Sequence, residues 1–143
     1  MITFTRREME KAWKHNHQAY HSSKVTNNAV RLLLFYAVEC GLKTVVMKRE
    51  NLSSTDETYL FAKVQHDLNK LLDYLRAGKD IKITSKLILS DYKNNQRLPT
   101  SRHCFSKDLN QIWRYGGSCK EPTDEELEHE LQNINNWIQG ELK

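Results

Sequence analysis

Apolar and aromatic residues recur at helical spacing in three separate stretches of the chain. Intervals of three and four residues place such side chains on one face of an α-helix, so each stretch predicts an amphipathic helix. The three stretches contain, in order, Met9, Trp13, His17 and Tyr20; then Leu60, Phe61, Val64, Leu68, Leu71, Leu72 and Leu75; then Leu127, Leu131, Ile134 and Ile138.

A hydroxyl residue followed three positions later by Glu stands ahead of each stretch. The pairs are Thr5 with Glu8, Ser54 with Glu57, and Thr123 with Glu126. This spacing fits the capping box, in which the hydroxyl and the carboxylate satisfy backbone N–H groups at a helix start. We therefore expect helices to begin at these points, with an acidic last helix over about 123–141.

A fourth helix is predicted between the first two stretches. Residues 29–47 are apolar on nearly every side, which is typical of a central helix in contact with several neighbours. Two shorter helices are predicted over 84–92 and 106–113, with loops over 94–101 and 116–122 where turn-forming residues collect. The expected fold is all-α, an antiparallel bundle of about five helices forming one domain over 1–143.

Charge and composition narrow the class of protein. Residues 1–120 hold 21 Lys and Arg against 11 Asp and Glu, a net of +10, whereas residues 121–143 hold one Lys against seven acids, a net of −6. A basic body of this kind attracts phosphate backbones, although scattered charges are equally typical of solvated helix faces. The longest apolar run, residues 32–38, is too short to cross a bilayer, and the first residues lack the pattern of a signal peptide, so we expect a cytoplasmic protein without a membrane partner.

Three strings of residues, in their order along the chain, resemble the HEPN superfamily. They are Asn27-Asn28-Ala29-Val30-Arg31 continuing to Val46 on the central helix, Gln65-His66-Asp67-Leu68-Asn69-Lys70-Leu71-Leu72 on the next, and Trp113-Arg114-Tyr115 ahead of the last. The resemblance spans roughly residues 5–140. It implies a bundle of four or five helices that commonly dimerises, in a prokaryotic defence or toxin–antitoxin system.

Catalytic members of that superfamily cut RNA without a metal, using an Arg followed four to six residues later by a His, usually across a dimer interface. The pair at that spacing here is Arg97 and His103, and Arg102 and Lys107 lie near enough in sequence to bind phosphate. A His can move the proton of the ribose 2′-OH, and a fixed Arg can face the charged phosphorane. Pro99 departs from the pattern because it interrupts a continuous helix through the motif.

Other polar residues are interpreted as structural. Arg31 and Glu39 are eight positions apart and share a face of the central helix, where buried charges need partners. We expect one structural polar cluster containing Arg31, Glu39, His66, Asp67, Arg114 and Tyr115. His17 and His21 stand four residues apart, but no carboxylate completes a shell, so neither a metal nor a cofactor is expected. The three cysteines, at 40, 104 and 119, form no CxxC pair, and we expect reduced thiols.

Three functions therefore stay open on the sequence alone. The first is a HEPN-like domain that acts by assembly, as a homodimer or with a partner protein, without nuclease activity. The second is a metal-independent RNA endonuclease that uses Arg97 and His103. The third is an unrelated helical adaptor from a phage or mobile element, whose acidic last helix docks on a basic partner.

Overall fold

The computed structural model describes residues 2–143, which form six α-helices and one three-stranded sheet. Two 3₁₀ turns cover Thr55–Glu57 and Ser106–Asp108. The helices are α1 (Arg6–Ser22), α2 (Asn28–Arg49), α3 (Leu60–Val64), α4 (Leu68–Leu75), α5 (Leu109–Arg114) and α6 (Asp124–Glu141), and the strands are β1 (Lys86–Lys93), β2 (Pro99–Phe105) and β3 (Cys119–Glu121).

The expected all-α fold is wrong, because an antiparallel sheet of order β2-β1-β3 replaces part of the predicted bundle. Residues 84–92, predicted as a helix, lie mostly in β1. Leu87 and Leu89 are buried while Lys86 and Tyr92 are exposed, so the apolar side chains alternate as on a half-buried strand. The predicted loop over 94–101 is the turn of a β-hairpin, in which the Asn94 side chain accepts from the backbone N–H groups of Gln96 and Leu98.

The central helix is confirmed as α2. Its side chains from Leu34 to Met47 are largely buried between α1, α4, α5 and α6. Gly41 lets α1 and α6 approach closely, since a Cβ at this position would lie 2.8 Å from side-chain atoms of both Trp13 and Ile138. The core of the domain therefore surrounds α2.

Two of the three predicted capping boxes are confirmed. Thr5 with Glu8 begins α1, and Thr123 with Glu126 begins α6. Ser54 makes no capping bond, and only a 3₁₀ turn follows it. The predicted long helix over 60–75 is broken into α3 and α4 at Gln65, whose φ of 48° and ψ of −110° end the first helix before Asp67 caps the second. Among residues 2–143, no helix combines the length and the apolar character that crossing a bilayer requires.

Candidate functional site

The β1–β2 hairpin carries two faces of different character. Ile88 pairs with His103 and Lys86 with Phe105, so these four side chains share the outer face, away from the buried Leu87 and Leu89. A bulge between Leu89 and Tyr92 shifts the register by one residue near the end of the hairpin. Beyond the bulge, neither face of the hairpin is buried.

Positive charge collects in the segment that contains the hairpin. Residues 76–107 hold eight Lys and Arg against the two acids Asp80 and Asp91, a net of +6. No ion pair found within residues 2–143 involves any of these eight side chains. Their charge is therefore available to an external anion.

Exposed aromatic rings lie among these cations. Tyr92 is 46% exposed and Phe105 52% exposed. The Arg102 guanidinium lies over the Tyr92 ring, with Cζ 5.0 Å from the ring centroid, and Nη2 donates to the Ser90 carbonyl at 2.9 Å. An oriented cation beside a half-exposed aromatic ring is suited to a phosphate and to a stacked base. We call residues 86–107 the hairpin surface.

Arg97 and His103 do not meet within one chain. Arg97 is in the hairpin turn with φ 61°, whereas His103 is on the outer face of β2. The strand from Pro99 to His103 alone spans about 13 Å at the usual rise of a strand, so the two side chains begin far apart along the hairpin. Of the two predicted phosphate contacts, Arg102 faces Tyr92, and Lys107 follows β2 in a 3₁₀ turn beside Phe105.

The residues expected in one polar cluster form separate groups. Arg31 is buried at the start of α2, and its Nε donates to Glu128 Oε1 at 2.9 Å. Its terminal nitrogens reach Asn28 Oδ1 at 3.1 Å and Glu125 Oε1 at 3.4 Å. Glu128 also accepts from the Tyr20 hydroxyl. This group joins α1, α2 and α6.

A second group surrounds Glu39, which lies eight residues, or about two turns, after Arg31 on α2. Glu39 Oε1 lies 2.6 Å from His66 Nδ1, and its other oxygen lies 3.5 Å from Lys43 Nζ. The strained backbone at Gln65 brings His66 to this carboxylate. Asp67, the next residue, caps α4 through a bond from the Lys70 N–H.

The third group is at the surface near α5. Arg114 Nη2 donates to the Tyr36 hydroxyl at 2.7 Å, and its guanidinium lies 5.9 Å from the Tyr115 ring centroid. Arg114 therefore reaches neither Arg31 nor Glu39 as a hydrogen-bonding partner among the described residues.

The acidic side chains of α6 are largely engaged within the domain. Glu130 accepts from the backbone N–H and the hydroxyl of Thr84, at 3.1 Å and 2.8 Å. Asp124 accepts from Trp113 Nε1 at 2.8 Å and from the Cys119 N–H at 3.1 Å. Glu126 completes the capping box of α6, and Glu125 and Glu128 contact Arg31. The acidic helix is therefore bonded to the rest of its own domain.

His17, Cys40 and Cys119 lie in partly or fully buried surroundings. The imidazole nitrogens of His17 lie 2.6 Å and 3.2 Å from the side-chain amides of Asn135 and Gln139, and burial is the main cause of its lowered pKa. Burial raises the pKa of Cys40 to about 11 and that of Cys119 to about 12. Within residues 2–143, no three His, Cys, Asp or Glu side chains are grouped so that they could hold a metal ion.

No family model matches the chain, and neither a curated protein nor a solved structure matches it. The function of the domain is therefore inferred from the geometry of the hairpin surface.

Proposed function

We propose that the domain binds single-stranded nucleic acid on its hairpin surface and does not cleave it. The observation that carries the proposal is the charge of residues 86–107, where five Lys and Arg stand against the one acid Asp91, a net of +4, and none of the five forms an ion pair among the described residues. Released counterions make such a surface attractive to a phosphate backbone.

Exposed aromatic rings favour a single strand over a duplex. Tyr92 and Phe105 project from different faces of the hairpin, and both rings are about half exposed. In a duplex the base faces are stacked and unavailable, whereas an unpaired base can stack on a ring of the protein. RNA and DNA share this chemistry, and the assay compares the two.

The separation of Arg97 and His103 within one chain supports binding without cleavage by a single protomer. General acid–base catalysis requires the His within hydrogen-bonding reach of the reacting oxygen, while the Arg contacts the same phosphate. The resemblance to the HEPN superfamily adds the proposal that the domain works in a prokaryotic defence or toxin–antitoxin system, as a homodimer or with a partner protein.

Fluorescence anisotropy with a labelled mixed-sequence 20-mer tests the proposal. The wild type is titrated with the single-stranded RNA, the same sequence as DNA, and a duplex, over a range of salt. A variant with Lys86, Lys93 and Lys107 changed to Gln should bind more weakly and lower the salt slope by about 2, since each lost phosphate contact removes about 0.7 for single strands.

The matched control changes three exposed lysines on other parts of the surface, Lys11, Lys24 and Lys63, to Gln. It should keep the wild-type affinity and slope. Equal losses in both variants would show general charge attraction rather than a site, and preferred binding of the duplex would contradict the single-strand proposal. Gel analysis of the RNA after incubation with EDTA checks that it stays intact; cleavage that disappears in His103→Ala would overturn binding without cleavage.

A further inference from the structure

A cleft of about 430 Å³ opens on the outer face of the sheet, where β1, β2 and β3 meet the start of α6. Its apolar lining includes Ile88, Phe105 and Pro122, and its polar lining includes Lys86, His103 and Glu121. The register explains the arrangement, because Ile88 in the middle strand pairs with His103 on one side and with Glu121 on the other.

Glu121 is the unusual member of this lining. Its carboxylate is exposed, and it makes no hydrogen bond or ion pair with a side chain in residues 2–143. On a surface that binds a polyanion, a free carboxylate repels phosphate. Its presence in the cleft is explained if it meets hydrogen-bond donors of the ligand.

The cleft contains groups of both signs. Lys86 lies on the middle strand and Glu121 on the neighbouring edge strand, and a separate concavity that shares Thr84 and Pro122 with the cleft is lined by Glu125, Glu126 and Glu130. A nucleotide carries groups complementary to both, an anionic phosphate at one end and base N–H groups at the other. It therefore fits with its phosphate toward Lys86 and its base edge toward Glu121.

Among the four RNA bases, guanine matches a carboxylate best. Its N1–H and its amino group are adjacent donors on one edge, so they can donate to both oxygens of a carboxylate. In adenine and cytosine the amino group lies beside a ring acceptor, and in uracil the N–H lies between two carbonyls. Those edges present one donor together with an acceptor that repels a carboxylate.

We propose that this cleft is a binding subsite for an unpaired guanine, which packs against Phe105 and donates from its N1–H and amino group to Glu121. The inference rests on the proposed function, because the phosphates on either side of that guanine are held by the hairpin surface. It makes the surface selective among single strands rather than indifferent to sequence.

The test uses 12-mer oligouridylates that differ at one central position. A central guanine should bind about tenfold more tightly than a central adenine or cytosine, which is within the range for one bidentate pair. A central hypoxanthine, which keeps the N1–H and lacks the amino group, should fall between them. The uniform oligouridylate measures binding by the hairpin surface alone.

Glu121→Gln should remove the preference for guanine while binding of the uniform oligouridylate stays the same or becomes tighter. Asp91→Asn is the matched control, since it removes an exposed carboxylate from the same hairpin outside the cleft. It should strengthen binding to all the oligomers alike and keep their order.

The outcomes separate the two proposals. If the wild type binds the oligouridylate but ranks all central bases equally, or if Glu121→Gln keeps the guanine preference, the guanine subsite is overturned and the proposed function stands. If the wild type binds none of the oligomers, both are overturned.

Discussion

Replacing Arg31 with Ala tests whether the domain itself holds its acidic last helix. The Arg31 side chain is 9% exposed and that of Glu128 is 16% exposed, and their atoms Nε and Oε1 are 2.9 Å apart. The Ala variant leaves the Glu128 carboxylate partly buried, with the Tyr20 hydroxyl as its remaining charge-stabilising neighbour on α1. Glu125, which is 75% exposed, is hydrated in either case.

The expected cost follows from that burial. Removing one partner of a buried ion pair destabilises a protein by about 3–5 kcal/mol, because the other charge stays desolvated. We expect about 3 kcal/mol, at the low end, since Tyr20 still donates to Glu128 and water can fill the vacated space. For a chain of this size such a loss lowers the Tm by about 10 °C.

Lys14→Ala is the matched control. Lys14 pairs with Glu10 at 3.6 Å on the surface of α1, with side chains 64% and 39% exposed. Exposed pairs at this helical spacing contribute about 0.3–0.5 kcal/mol. The free energy of unfolding is measured for both variants by urea denaturation followed by circular dichroism, with an unchanged m-value as the sign that two-state unfolding is preserved.

Two results would refute the reasoning. If Arg31→Ala loses no more stability than Lys14→Ala, the Arg31–Glu128 contact does not fasten α6. If Arg31→Ala and Glu128→Gln give fully additive losses, the two side chains are not coupled. Either result would leave Glu125 and Glu128 free to dock on a basic partner and would favour the helical adaptor.

Three further predictions concern stability and reactivity. Gly41→Ala should destabilise the protein by about 1–3 kcal/mol in urea unfolding, because its Cβ would overlap side chains of two neighbouring helices, whereas Gly140→Ala, with open space, should be neutral or slightly stabilising. Burial, together with the nearby His21, lowers the pKa of His17, so as the pH falls below about 6.5 the unfolded chain takes up a proton more readily than the folded one. The free energy of unfolding should therefore fall from pH 7 toward pH 5, and it should fall less steeply in His17→Gln. Equal slopes in the two proteins would contradict this prediction. Burial raises the pKa of Cys119 to about 12, so its thiol stays protonated at pH 8. A disulfide reagent at that pH should label Cys119 only after unfolding. As the control, Cys119→Ala should leave the labelling of the native protein unchanged.

Helix starts and the central helix were predictable because their determinants are local. The side chains of Thr5 and Thr123 cap the helices that follow them, and α2 keeps an apolar character on most sides, as a buried helix does. These signals survive in a single sequence because each is set by residues within one or two helical turns of one another.

The hairpin was missed because its pattern is ambiguous at short range. Residues 87–89 are all apolar, and a run of that length fits a buried helix segment as well as a strand. β2 gives almost no signal, since its residues from Pro99 to His103 are exposed or half-buried on both faces. Asn94 and Asn95 between the two runs were the available indication of a turn.

The candidate site was only partly predictable for the same reason. The spacing of Arg97 and His103, with Arg102 and Lys107 near them, indicates residues that could contact RNA, but it does not show that they lie on a β-hairpin rather than in a loop. Glu121 gave no signal at all, because its place opposite Ile88 depends on pairing between strands more than thirty residues apart. Non-local pairing of this kind leaves no periodic trace in the sequence around either residue.

The basic and acidic parts of the sequence differ in whether their charged side chains have partners within the domain. The acids of α6 are bonded to Arg31, Thr84 and the backbone near Cys119, so their removal should reduce stability. The cations of the hairpin surface have no carboxylate partner among the described residues, so their removal should leave stability within a few tenths of a kcal/mol while binding weakens. Removing the acids of α6 should therefore lower stability, and removing the cations of the hairpin surface should weaken binding. In a domain that used its acidic helix for docking, removing the acids would weaken binding and leave stability nearly unchanged.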